Sequence, residues 1–136
     1  MEIELLERQS SELRKDIVEV CYHSKAGHVG GSLSAIDILN VLYFNELRID
    51  PNNPKMENRD RFILSKGHIA EALYVTLAKR GFFAYSELDN FSGYNTKYIG
   101  HPNNKVAGVE MNTGALGHGL AIGVGLAIAA KKMGQD

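Results

Sequence analysis

The sequence predicts an α/β domain that is mostly helical, with its parallel sheet represented by one strand. Three observations predict it. Apolar residues recur at helical spacing over most of the chain, a short apolar run at 61–65 is bounded by charge and glycine, and helices lie on both sides of that run. Strands separated by helices normally pair in parallel, with crossovers covering the sheet faces. A lone strand leaves unpaired backbone on both edges, so its partners are expected outside these 136 residues. The chain stops after a helix C-cap, where such a fold would enter its next strand. It therefore reads as one incomplete domain over 1–136.

The elements follow in order. Residues 2–24 place Ile3, Leu6, Leu13, Ile17, Val20 and Cys21 near a helical period. Ser34-Ala35-Ile36-Asp37 resembles a capping box, opening a helix to Leu47 with Ile38, Leu39 and Leu42 on its core face. Asp50-Pro51-Asn52-Asn53-Pro54 is a stop. Arg61-Phe62-Ile63-Leu64-Ser65 is the strand candidate. A helix from Ile69 to Arg80 ends at Gly81, a natural C-cap. Ser86 caps a short helix through Phe91, 92–112 is mostly loop, and a glycine- and alanine-rich helix runs from Leu116 to Met133. Lys131, Lys132 and Gly134 close it as helix ends prefer.

Composition narrows the function classes. Hydrophobic residues make up 44% and charged residues 23%, which argues against disorder. The formal net charge of -1, with both signs interspersed, announces neither a nucleic-acid nor a membrane partner. Cys21 stands alone, so no internal disulfide forms, which suits a reducing compartment. The acidic, amphipathic start lacks an apolar signal core, and Gly119 to Ala130 is too short to cross a bilayer. A cytoplasmic protein is expected.

Four of the five histidines follow a glycine: Gly27-His28, Gly67-His68, Gly100-His101 and Gly117-His118. With 14 glycines in 136 residues, chance gives about half of one such pair, so a cause beyond turn chemistry is required. Glycine lets backbone approach a ligand closely, and histidine can hydrogen-bond hydroxyls and phosphates and exchange protons near neutral pH. For any single pair the plain alternative is a turn with a loop histidine. Metal ligation by these histidines is disfavoured, because separations of 40, 33 and 17 residues match no compact ligand motif. At 108–120, Gly-Val-Glu-Met-Asn-Thr-Gly-Ala-Leu-Gly-His-Gly-Leu leads a polar, glycine-rich turn into a helix whose free N–H groups could receive an anion or a heterocycle edge. Gly119, Gly123 and Gly125 read better as packing glycines along that helix.

Four segments, AGHVGGSLSAIDILNVLYF, RDRFILSKGH, GHPNN and GVEMNTGALGHGL, occur in this order. Together they resemble the N-terminal part of the transketolase family, especially the type split into two subunits, over about residues 10–136. The resemblance implies the first part of a thiamine-diphosphate-binding, parallel-sheet domain. It implies transfer of a two-carbon ketol unit between sugar phosphates, as in the pentose phosphate pathway, with the cofactor supplying the carbanion chemistry. By that resemblance His68 contacts the cofactor diphosphate, and Gly114, Ala115 and Leu116 hold its aminopyrimidine side. His28 and His101 are the catalytic pair near the reacting carbon. Mg2+ is implied too, with ligands beyond residue 136, and none of the metal ligands is assigned within the chain. The implied partners are sugar-phosphate substrates, a C-terminal transketolase subunit or domain, and a second copy in a homo-oligomer associating through 119–130. The isolated 136 residues are expected to be inactive.

The chain departs from the family pattern at Ala26 and Val29, where serine and proline are frequent, at Ala115, often proline, and at His118, often glutamine. These changes leave the sugar substrate open. A related enzyme such as 1-deoxyxylulose-5-phosphate synthase, or a non-catalytic interaction subunit, is the alternative. Retention of His28, His68 and His101 disfavours the second of these.

Overall fold

The computed structural model describes residues 2–135. Among the described residues five α-helices account for most of the regular structure: α1 (Ile3–Ser24), α2 (Val29–Leu33), α3 (Ile36–Val41), α4 (Ala70–Arg80) and α5 (His118–Lys132). A π-helical turn, Leu42–Glu46, continues α3, and 3₁₀ turns at Gly67–Ile69 and Tyr85–Asn90 precede and follow α4. α1, α3 and the Tyr85–Asn90 turn all pack on α4.

α4 is the centre of the core. Every residue from Ala70 to Ala78 is buried, so it is covered all round, its apolar side chains packed and its polar ones, Glu71, Tyr74 and Thr76, hydrogen-bonded within the fold. It ends where the sequence places its stop: Gly81 takes φ 97°, its N–H reaching Leu77 O and Ala78 O, and the Phe82 N–H closes on Leu77 O. Around α4 pack Leu13, Ile17, Val20 and Cys21 of α1, and Ile36 and Leu39 of α3. The expected core face of the second helix is corrected at Ile38, and Ile3 of the α1 period also lies outside the core. Ile3 and Ile38 are exposed. The inner face of α3 carries Ile36, Leu39 and Asn40 instead, because the fully buried Asn40 amide donates to Leu6 O and Ser10 Oγ across the interface with α1.

The expected single helix from Ser34 to Leu47 is also corrected. Within that span α3 runs on into the π-helical turn, ending at Glu46, and a separate short helix, α2, precedes it at Val29–Leu33, before the Ser34–Ala35 step. The expected strand at 61–65 and its parallel sheet do not form either: among the described residues there is no strand. Without neighbouring strands, the segment's polar groups turn to loops and a helix end. The Thr113 hydroxyl donates to Leu64 O at 2.7 Å, and Ser65 Oγ accepts the Gly119 N–H at 3.1 Å.

That second contact docks α5. Among the described residues of α5 only Gly119 is buried. A Cβ there would lie 2.6 Å from Ser65 Cβ and 2.7 Å from Ser65 Cα, so the glycine is required by its close approach to Ser65. Gly119→Ala should lever α5 away and cost about 1–3 kcal/mol of stability, read as a lower denaturation midpoint. An unchanged midpoint would show that α5 is not held there. Gly123 and Gly125 face no described atom within 4 Å, so the expected packing role does not extend to them among the described residues. Among the described residues no helix is long and apolar enough to cross a membrane.

Candidate functional site

His28 sits at the start of α2, with backbone (-122°, 68°), and its carbonyl accepts the Ser32 N–H at 2.9 Å. Gly27 before it takes φ 121°, where a side chain is strained, and an added Cβ would stand 2.5 Å from Cys21 Sγ. Only glycine fits between α1 and the His28 turn. Burial, with the nearby Glu71 carboxylate adding to it, pushes the Cys21 thiol up to about 11, so it stays protonated and unreactive.

His68 lies in the 3₁₀ turn that opens α4, half-buried. Its ring meets the His28 ring edge-on, with centroids 4.9 Å apart and planes at 74°. Gly31 of α2 makes room, since a Cβ there would come within 2.9 Å of Ile69 Cγ2 and 3.7 Å of His68 Nε2. Lys66 pins the same turn from outside, its Nζ donating to Gly31 O at 3.3 Å and Ser34 Oγ at 3.1 Å.

The third and fourth segments meet on the other side of Gly67. A Cβ on Gly67 would lie 2.9 Å from Gly114 N and from the carbonyl carbon and oxygen of Thr113. The His101 ring lies against Gly114, where an added Cβ would be 3.3 Å from His101 Cδ2. His101 is held through its main chain: the buried Tyr74 hydroxyl donates to His101 O at 2.8 Å and accepts the Asn103 N–H at 3.1 Å. Burial pushes that phenol up to about 12, keeping it a donor. Asn112, Thr113, Gly114, Ala115, His118 and Ile122 line an open cleft of about 280 Å³. Leu116, 69% exposed, lies outside that lining.

The structure thus brings together the residues named from sequence in two contacts, His28 with His68 and His101 with Gly114, and joins them at Gly67. Two further polar residues, Glu71 and Tyr74, were invisible to sequence reading. Both sit within the buried helix α4, where the only signal was a polar atom in an otherwise apolar run. Among the described residues no group of three or more His, Cys, Asp or Glu side chains is gathered to hold a metal ion.

The side-chain-free approaches at Gly67 and Gly114, the histidines beside them and the open, largely apolar cleft fit part of a diphosphate-bearing heterocycle. A family model for the transketolase thiamine diphosphate binding domain matches residues 7–136. The chain is 51% identical over 131 residues to an apulose-4-phosphate transketolase subunit of Phocaeicola vulgatus, covering 96% of this chain and 47% of that protein. It is 41% identical over 127 residues to the 6-deoxy-6-sulfo-D-fructose transketolase subunit SqwG of a Clostridium species, covering 93% of this chain and 46% of that one. The transketolase structure from Campylobacter jejuni matches with a TM-score of 0.90 at 38% identity, over 98% of this chain and 21% of that chain. The chain spans about half the length of these two curated relatives.

Proposed function

Because the chain belongs to the transketolase family, in its thiamine-diphosphate-binding domain, we propose that it is the cofactor-binding part of one subunit of a two-subunit ketol-transferring enzyme. The observation that carries this reading is the 51% identity to the Phocaeicola vulgatus subunit over 96% of the chain, against 38% to the Campylobacter jejuni transketolase. On this reading the donor is a phosphorylated ketose of the apulose 4-phosphate kind, and the partner is a second, complementary subunit. α5 supports an assembled state, since Leu120, Val124 and Ile128 present an apolar face that the described residues leave uncovered.

Thiamine diphosphate, when bound, supplies the stabilised carbanion that carries the two-carbon unit. His68, half-buried and in edge contact with the His28 ring, would donate to the diphosphate. Gly114 and Ala115 offer close backbone contact to the aminopyrimidine side, with Leu116 flanking from outside the cleft. His28 and His101, both exposed, hydrogen-bond sugar hydroxyls and move protons to and from them. Mg2+ would be held by residues outside this chain's site.

The test reconstitutes the full subunit with its partner, cofactor and Mg2+. Ketol transfer is then measured from apulose 4-phosphate, 6-deoxy-6-sulfofructose and xylulose 5-phosphate. Preference for apulose 4-phosphate supports the reading. Preference for the sulfosugar or for xylulose 5-phosphate reassigns the substrate, and no transfer from any donor overturns the activity.

A further inference from the structure

We infer that Glu71 is a positioning residue that holds His28 in place through the His28 main-chain N–H, an inference that rests on His28 being a substrate-facing group. Glu71 is 1% exposed in the first turn of the buried core helix. One carboxylate oxygen, Oε1, accepts the His28 N–H at 2.6 Å and the Ser32 hydroxyl at 2.7 Å. The other, Oε2, is buried and has no hydrogen-bond partner among the described residues. For packing alone this is a poor choice, because a buried carboxylate oxygen without a partner is costly and an apolar side chain would fill the space without that cost.

The geometry shows what is obtained in return. Glu71 lies three residues beyond His68, in the first turn of α4 that the His68 3₁₀ turn leads into, so its bond to His28 ties the two histidine turns together at the start of α4. The outcome is the 4.9 Å edge contact between the two rings. The tie matters because Glu71 is the side-chain anchor at the His28 end of the turn, whereas Lys66 holds the far end at Gly31 and Ser34. Gly27 carries no side chain, Val29 lacks the fixed φ that a proline would give at the first position of α2, and α2 has only five residues, two of them glycine. No side-chain cap holds the start of α2, so the two bonds to Oε1 fix its position from within the core.

The test compares Glu71→Leu, Glu71→Gln and His28→Ala in the full-length subunit, paired with its partner. Amide hydrogen exchange at His28, read without cofactor, should speed up about tenfold or more in Glu71→Leu, while the Leu73–Leu77 amides keep their protection. Glu71→Gln keeps an acceptor but loses its charge, so it should fall between wild type and Glu71→Leu. It decides the matter alone if the leucine variant does not fold. Turnover should drop about tenfold in Glu71→Leu with KM for the sugar little changed, since a displaced group costs rate. In the His28→Ala background, Glu71→Leu should cost nothing further. Unchanged His28 exchange in both Glu71 variants overturns the inference, as does an equal loss of turnover whether or not His28 is present. A His28→Ala enzyme with wild-type turnover would instead overturn the substrate-facing reading of His28, leaving the exchange data to decide the Glu71 contact.

Discussion

Gly67→Ala is expected to weaken cofactor binding by about 10- to 100-fold, the equivalent of roughly 1–3 kcal/mol of overpacking. The added methyl would arrive 2.9 Å from Gly114 N, Thr113 C and Thr113 O. All three are backbone atoms, so no side chain can rotate out of the way. Gly67 is buried, which removes the option of relaxing into solvent. Its φ is not positive, so alanine is allowed at the position and the whole effect comes from the wedge. Two structures resist the wedge. The turn carrying Gly67 leads directly into the fully packed α4, and Thr113 is tied by its hydroxyl to Leu64 O. The weaker side is the Gly114–Leu116 stretch, exposed throughout, which should be displaced from the His68 turn. Calorimetric titration of the complete enzyme with thiamine diphosphate and Mg2+ reads the affinity directly. Wild-type affinity in Gly67→Ala would mean that the meeting of these two segments does not shape the cofactor cleft.

The same glycine shows what was legible in the sequence. Of the four glycine–histidine pairs, three have a cause in the fold. Gly27 has φ 121° and a close neighbour, Gly67 has a close neighbour, and Gly117 has φ 85° at the start of α5. Gly100 meets nothing within 4 Å and has no positive φ, so among the described residues nothing requires it. α1, α4 and α5 were legible because their periodicity and stop signals are local, with Gly81 and the Lys131–Lys132 pair closing helices where expected. The 61–65 run was misread as a strand. Strand identity depends on a partner, and no ladder reaches Leu64 or Ser65 among the described residues.

The face of α3 was misread because its inward position holds a polar residue. Asn40 is buried by its bonds to α1, which no hydrophobicity pattern encodes, so the turn was rotated toward Ile38. Glu71 and Tyr74 were missed for a related reason. Each acts on another segment's backbone, at His28 N and His101 O, and a main-chain partner leaves no mark in the sequence.

The three site histidines should separate by what they lose. His68→Ala should weaken thiamine diphosphate by about 1–3 kcal/mol, the scale of a hydrogen bond to a charged group. His101→Ala should lower turnover while leaving cofactor affinity nearly intact, because the ring rests on Gly114 as a neighbour and its main chain is held independently by Tyr74. His28→Ala should also act on turnover, but less cleanly. Its ring supports His68 at 4.9 Å, and an edge-on aromatic contact contributes about 0.5–1.5 kcal/mol. Removing His28 should therefore weaken cofactor binding by up to about tenfold, through the freedom it gives His68. In the double variant His28→Ala/His68→Ala that secondary loss disappears, so the two cofactor penalties should fall short of additive by about 0.5–1 kcal/mol. Titrating cofactor into the four enzymes of this cycle, alongside steady-state rates, measures every term. Strict additivity would remove the ring contact from the mechanism, and cofactor affinity unchanged by His68→Ala would remove His68 from the diphosphate site.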